Sequence, residues 1–206
     1  MLFSPLTATL SVMQPVELIL PGPLKSGIVV LRTLVSDSSD IPSRQSERLE
    51  SRAALSTAIA KLGFSINLNE AKFEGHQKIL ELDDLRFSIS HTERAFGCWA
   101  LRDSCDSFAM GFDIERTNRV LTPAATSRIV SPDDDKRLSA LQIWCAKEAA
   151  FKSLSAKAQD SVTLPAIRIV SATVFNVPTL AISGSLELNM GVPDLTLAFA
   201  WSQKRK

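Results

Sequence analysis

The sequence predicts an α+β fold of antiparallel sheets with helices on one face. Three observations lead there. Runs such as GIVVLRTLV, LRFSISHT, FGCWALR, FAMGFDIE, LAISGSLELN and LTLAFAWS read as strands joined by short turns, the mark of antiparallel pairing. Helical spacing governs only a few stretches between them. The order of strands, helix and strands also recurs loosely in residues 1–105 and 106–206, with a boundary near Ser104 to Ser107 but no sequence repeat that proves a duplication.

The elements follow in order. VELIL and GIVVLRTLV are two strands separated by the turn-rich PGPLKSG, and SDSSDIPS is a loop. From about Pro42 to Leu62 the apolar positions Leu49, Ala53, Leu55, Ile59 and Leu62 recur at helical spacing, and Gly63 ends that helix. FSINLNEAKFEGHQKILELDD is polar and irregular, with room for one short strand. LRFSISHT and FGCWALR pair around a turn at Glu93 and Arg94, and FAMGFDIE is the third strand of that group. A short helix is predicted between Leu121 and Val130. SPDDDKR then opens the next helix: Ser131 caps it, Pro132 suits its first turn, and Asp133 to Asp135 face its positive end. That helix should run, with room for a break, to about Ala156. AIRIVSATVF, LAISGSLELN and LTLAFAWS complete the chain as strands.

Bulk properties exclude several function classes. The chain has 206 residues, 45% hydrophobic and 22% charged, which is enough for a normal core without disulfides or metal to hold it. A formal net charge of +1 argues against a dedicated nucleic-acid binder, and the basic tail Lys204 to Lys206 reads as a solvated end. Cys98, Cys105 and Cys145 give neither a disulfide framework nor a zinc spacing, so reduced thiols are expected. The first twenty residues are broken by Pro5 and Pro15 and lack a basic leading region, so no signal peptide is expected. No apolar run reaches membrane-spanning length. A soluble, cytoplasmic protein with no membrane partner is the expectation.

Three clusters carry possible chemistry. Asp113 and Glu115 lie two apart on a strand and project to one face, with Phe112 and Ile114 on the other. The spacing suits a solvated face or a magnesium site, since Mg²⁺ takes one or two carboxylates plus substrate phosphates. Glu148 and Lys152 are one helical turn apart, which suits a surface ion pair or a metal ligand beside a phosphate-binding lysine. Ser90 and His91 end a strand, where they are structural or hold a phosphate. No G-x-S-x-G elbow is present, which weakens a serine-hydrolase reading.

Taken together and in order, SISHT, GFDIE and WCAKEAAFK resemble the motifs of the 4′-phosphopantetheinyl transferases, in the larger class in which one chain contains two similar halves. The resemblance spans residues 88 to 152. It implies that each half is an antiparallel sheet packed against a long helix, with the active site between the halves. It implies transfer of the 4′-phosphopantetheine arm of coenzyme A to a serine of an apo acyl or peptidyl carrier protein, with release of adenosine 3′,5′-bisphosphate. On the same basis Asp113, Glu115 and Glu148 would hold Mg²⁺ (Mn²⁺ as a possible substitute). Glu148 would take the serine proton, and Lys152 would balance charge on the departing phosphate. Ser90, His91 and Arg52 would grip the 3′-phosphate, with Lys147 and His76 as further phosphate contacts. A monomer is expected, because one chain supplies both sides of the cleft.

The chain departs from the family pattern at Gly75-His76-Gln77, where a glycine, a basic residue and a proline are usual. That departure leaves an alternative open: a homologue that binds coenzyme A or a carrier without transferring the group. A magnesium-dependent nucleotide phosphohydrolase is the more distant alternative.

Overall fold

The computed structural model describes residues 11–12, 27–35, 44–74, 78–104, 108–189 and 191–203. The elements run β1 (Ser11–Val12), β2 (Ile28–Val35), α1 (Arg44–Lys61), β3 (Phe73–Glu74), β4 (Lys78–Ile79), β5 (Leu85–Thr92), β6 (Ala95–Arg102) and β7 (Phe108–Arg116). They continue with α2 (Pro123–Ile129), α3 (Ala140–Lys152), α4 (Ala156–Gln159), β8 (Arg168–Ser171), β9 (Val174–Val177), β10 (Ile182–Asn189) and β11 (Leu195–Gln203). One antiparallel sheet has the order β1-β2-β6-β5 and a second has the order β7-β11-β10-β9-β8, while β3 and β4 form a small ladder of their own.

Apolar burial arranges these parts in layers. The stripe Ala54, Leu55, Ala58 and Ile59 of α1 packs on Val30, Phe87, Cys98 and Ala100 of the first sheet. The opposite face of that sheet, with Val29, Leu31 and Trp99, meets Phe112, Ile114, Leu197 and Phe199 of the second sheet. Trp99 and Phe199 meet edge to face at 5.4 Å between centroids, a favoured aromatic geometry. Ala146, Ala149 and Ala150 of α3 cover the far side of the second sheet against Leu186, Ala198 and Ala200. The order is helix, sheet, sheet, helix.

Several sequence expectations change on this frame. FAMGFDIE is not the third strand of the β5–β6 group: β7 pairs over its whole length with β11, from Phe108↔Gln203 to Arg116↔Leu195. It still runs beside β5, but side chains close that seam instead of a ladder. The Ser88 hydroxyl accepts the Phe112 N–H at 2.9 Å, and the Arg116 Nε donates to the Glu93 carbonyl at 3.1 Å.

The helix expected at SPDDDKR starts later, at Ala140. Ser139 and Gln142 form a complete capping box there, which satisfies two otherwise orphaned donors. Residues 131–138 turn instead, and helix reaches Ala156 across a break: α3 ends at Lys152, and α4, capped by Ser155, begins at Ala156. AIRIVSATVF divides into β8 and β9, and the irregular segment after Gly63 holds two short strands. Gly63 does end α1: its φ is +80°, and the Gly63 and Phe64 N–H groups bond back to Ala60 and Ile59, a Schellman closure. The VELIL strand, Cys105, the start of the α1 segment at Pro42 and most of the expected boundary at 104–107 lie outside the described residues.

Turning residues 131–138 sends Asp134 inward. Its carboxylate accepts the Ser131 N–H at 2.6 Å and the Ile169 N–H at 2.9 Å. It also meets Lys147 Nζ at 2.8 Å, with both side chains fully buried. Lys147 donates as well to the Ile129 carbonyl at 2.8 Å. Burial pulls the Lys147 ammonium below its usual range, and Asp134 opposes that shift. The pair ties α3 to α2 and β8. Breaking a buried pair strands a charge. Lys147→Met should therefore cost about 3–5 kcal/mol of stability in urea unfolding. Adding Asp134→Asn should recover much of the loss by removing the stranded carboxylate.

Candidate active site

Gly111, Asp113 and Glu115 share the face of β7 turned toward α3, and Phe112 and Ile114 fill the core between the sheets. A Cβ at Gly111 would lie 2.0 Å from the Ala149 carbonyl oxygen and 2.6 Å from the Ser153 nitrogen. The helix backbone thus rests directly on the strand, a contact that only glycine permits. This seat brings the last turn of α3 over Asp113.

Lys152 Nζ lies 2.8 Å from Asp113 Oδ1. It also donates to the Phe112 carbonyl at 3.2 Å and to Ser90 Oγ at 2.9 Å. Ser90, from β5, donates in turn to Asp113 Oδ1 at 2.7 Å. One residue each from β5, β7 and α3 thus forms a closed knot. One step along the seam, Thr92 donates to Glu115 Oε2 at 3.0 Å. Arg119 donates to Glu115 Oε1 and lies over the Trp144 ring, 5.0 Å from its centroid.

The acids here are not a solvated face. Asp113 is 4% exposed and Glu115 5%. Asp113 Oδ2 is buried and accepts no hydrogen bond. Burial pushes Glu115 up, Asp113 adds to the shift, and the Arg119 hydrogen bond opposes it. Burial also raises Glu148, reinforced by Asp113 and offset in part by Lys152. Ser90, Asp113, Glu115, Glu148, Phe151 and Lys152 line one cleft of about 510 Å³. A second groove of about 590 Å³ lies between α1 and β5, lined by Arg44, Arg48, Arg52 and Phe73 among others. The two share Ile89 and His91.

Of the residues expected from the sequence, Ser90, His91, Asp113, Glu115, Glu148 and Lys152 come together in the first cleft. Arg52 lines the neighbouring groove, its guanidinium 5.7 Å from the Phe73 ring centroid. Lys147 does not join them. It sits a turn and a half from Lys152 on the helix, where its direction leads into the buried pair with Asp134. His76 lies outside the described residues. The sequence reading missed Arg44 and Arg48, although their spacing from Arg52 at four-residue steps carries the signal. It also missed Arg119, which stands one turn's length after Glu115 but on an irregular segment. Among the described residues, no three His, Cys, Asp or Glu side chains converge closely enough to hold a metal ion.

Residues 109–187 match the family model of the 4′-phosphopantetheinyl transferase superfamily. That span includes Asp113, Glu115, Glu148 and Lys152, and it supports a transferase of the 4′-phosphopantetheinyl kind. A search of the curated proteins finds no match for the chain.

The raised Glu148 gives a stability prediction with a definite sign. A carboxylate whose folded pKa lies above its unfolded value weakens the fold when ionised. The penalty is therefore present near neutral pH and disappears as the pH falls through the folded pKa. Glu148→Gln, melted in EDTA at neutral pH, should gain about 2–4 °C, the shift that 1 kcal/mol gives in a domain of this size. The gain should shrink on acidification. Gly111→Ala should act in the opposite direction. Overpacking should cost about 1–3 kcal/mol, with α3 displaced from β7, as thermal melting and a crystal structure of the variant would report.

Proposed function

We propose that this chain transfers the 4′-phosphopantetheine group of coenzyme A to a serine of an apo carrier protein, as a two-half enzyme acting as a cytoplasmic monomer. The observation that carries the reading is the knot of Ser90, Asp113 and Lys152. Three motifs far apart in the sequence meet there in one cleft, with Glu148 and Glu115 beside them. One chain supplies every side of the cleft, which favours a monomer.

The reaction forms a bond from the carrier serine oxygen to the phosphorus that bears the pantetheine arm. It breaks the bridging P–O bond of the pyrophosphate, and adenosine 3′,5′-bisphosphate leaves. Such a transfer depends mainly on positioning and on neutralising charge. Glu148 is suited to take the serine proton: it is a carboxylate at the cleft whose burial raises its basicity. Lys152 lies one helical turn along from it at the same cleft, where it would balance charge on the departing phosphate oxygen. Ser90, His91 and Arg52 would hold the 3′-phosphate, where the cleft joins the arginine-lined groove.

The donor types suit Mg²⁺, although no three of the acids converge closely enough among the described residues to form a ready-made site. All the acids offer oxygen ligands. Asp113 Oδ2 is a buried carboxylate oxygen without a partner. Glu115 and Glu148 both carry raised pKa values that a cation would relieve. Asp113, Glu115 and Glu148 would have to draw closer to hold the ion, which when bound would neutralise charge on the pyrophosphate and acidify bound water.

Intact-protein mass spectrometry of apo carrier proteins incubated with this chain, coenzyme A and Mg²⁺ tests the reading. A phosphopantetheine-sized mass gain that EDTA removes is expected. Coenzyme A binding with no gain on any carrier type would point instead to a binder that does not transfer. Lys152→Met should lower kcat by about a hundredfold, the order seen when one charge-stabilising group is lost, with a smaller change in KM for coenzyme A. A change confined to KM would move Lys152 from catalysis to binding.

A further inference from the structure

Among the described residues, the groove between α1 and β5 holds one carboxylate among cations. Arg44, Arg48 and Arg52 lie along one face of α1, and His91 faces them from β5. Such a wall suits a phosphate monoester, which arginine recognises through its planar fork of donors. Glu47 lies on the same face of α1 and lines the same groove. Its Oε2 reaches across to His91 Nε2 at 3.6 Å. A place in the first turn of α1 suits an acid, because the helix dipole is positive there. That accounts for a carboxylate on the helix. It does not account for its reach to the histidine on the facing strand.

We infer that Glu47 is a displaceable counter-ion that sets how tightly this groove holds a phosphate monoester. The inference rests on the reading above, in which His91 and Arg52 receive the 3′-phosphate of coenzyme A. At 3.6 Å the carboxylate stands beside His91 Nε2 without a hydrogen bond, and a phosphate that reaches this nitrogen from the groove takes the place the carboxylate holds. The Glu47 charge then remains near the phosphate and repels it. A nucleotide without the extra phosphate leaves the Glu47–His91 pair intact and meets no such penalty. Glu47 therefore loosens the grip on the phosphorylated form alone. In the proposed reaction the leaving nucleotide keeps that phosphate, so the same carboxylate eases its release. The side chains are accessible enough for the exchange, at 25% exposure for Glu47 and 51% for His91.

The test compares adenosine 3′,5′-bisphosphate with the methyl ester of adenosine 5′-monophosphate, a phosphodiester that presents no monoester, by calorimetric titration of the full chain and its Glu47→Gln variant, without carrier protein. The inference expects the bisphosphate to bind the variant about tenfold more tightly, the scale of removing one nearby like charge. The diester should change by less than about twofold. Glu47→Asp keeps the charge but shortens its reach to His91, and should fall between the two. An unchanged or weaker bisphosphate affinity in Glu47→Gln would overturn the inference, because it would make Glu47 a support for His91 and not its competitor. Equal gains for both nucleotides would also overturn it, by reducing the effect to general charge. These results are independent of turnover. Carrier modification with no Glu47 effect sinks this inference alone, and selective tightening without carrier modification sinks the transferase reading alone.

Discussion

The contact on which the site depends is the seat of a helix backbone against a strand that has no side chain at the point of touch. Gly111 lets the Ala149 carbonyl and the Ser153 amide approach β7 within a distance that any Cβ would forbid. Asp113 and Glu115, one and two steps of the pleat further on, keep only 4% and 5% of their surface exposed. A carboxylate without water needs compensation, because burying a charge costs far more than burying an amide. Lys152, carried by the last turn of the same helix, supplies it. The glycine that permits the approach and the lysine that makes it tolerable therefore belong to one arrangement, although forty positions separate them.

The second constraint is the seam between β5 and β7. Each is the edge of its sheet, and an open edge exposes unpaired backbone groups. Here the edges lie side by side and are joined by hydroxyls. Ser88, Ser90 and Thr92 recur at every second position of β5, which directs all three to the same side of the strand. Each meets a different group of β7: the Phe112 amide, the Asp113 carboxylate and the Glu115 carboxylate. A regular ladder would have used these backbone groups up and left no polar opening. The side-chain seam closes the two sheets over a shared core and keeps its carboxylates accessible from the cleft.

Much of this was legible in the sequence because it follows local rules. Alternation placed β5, β6 and β7 and put Asp113 and Glu115 on a common face. Helical spacing placed the α1 segment and the Glu148–Lys152 turn. What local rules could not supply was partnership. FAMGFDIE reads equally well as a neighbour of β6 or of β11, since its pattern does not name the strand that pairs with it. SPDDDKR obeys the grammar of a helix start, but Ser139 and Gln142 obey it more completely, and Asp134 was drawn inward by Lys147. The two lysines of α3 show the limit most clearly. They are chemically identical and five residues apart. Helix geometry states that they point in different directions, and only the surrounding fold decides that one meets a buried aspartate and the other a cleft.

The charges of the cleft and the groove are segregated, and that segregation constrains what can bind across both. Carboxylates gather where α3 meets β7, and arginines gather along α1. A ligand carrying anionic groups at separate points finds arginines at one end and Lys152 at the other. At the other end Lys152 and Arg119 already hold Asp113 and Glu115, so the site stays folded with resident cations in place. At Glu148 Lys152 offsets only part of the rise that burial and Asp113 impose, and at Glu115 Arg119 likewise offsets only part of it. A carboxylate kept in that condition gains from an added cation or proton. Of the two, Glu115 is already held by Thr92 and Arg119, whereas Glu148 lines the cleft one helical turn from Lys152.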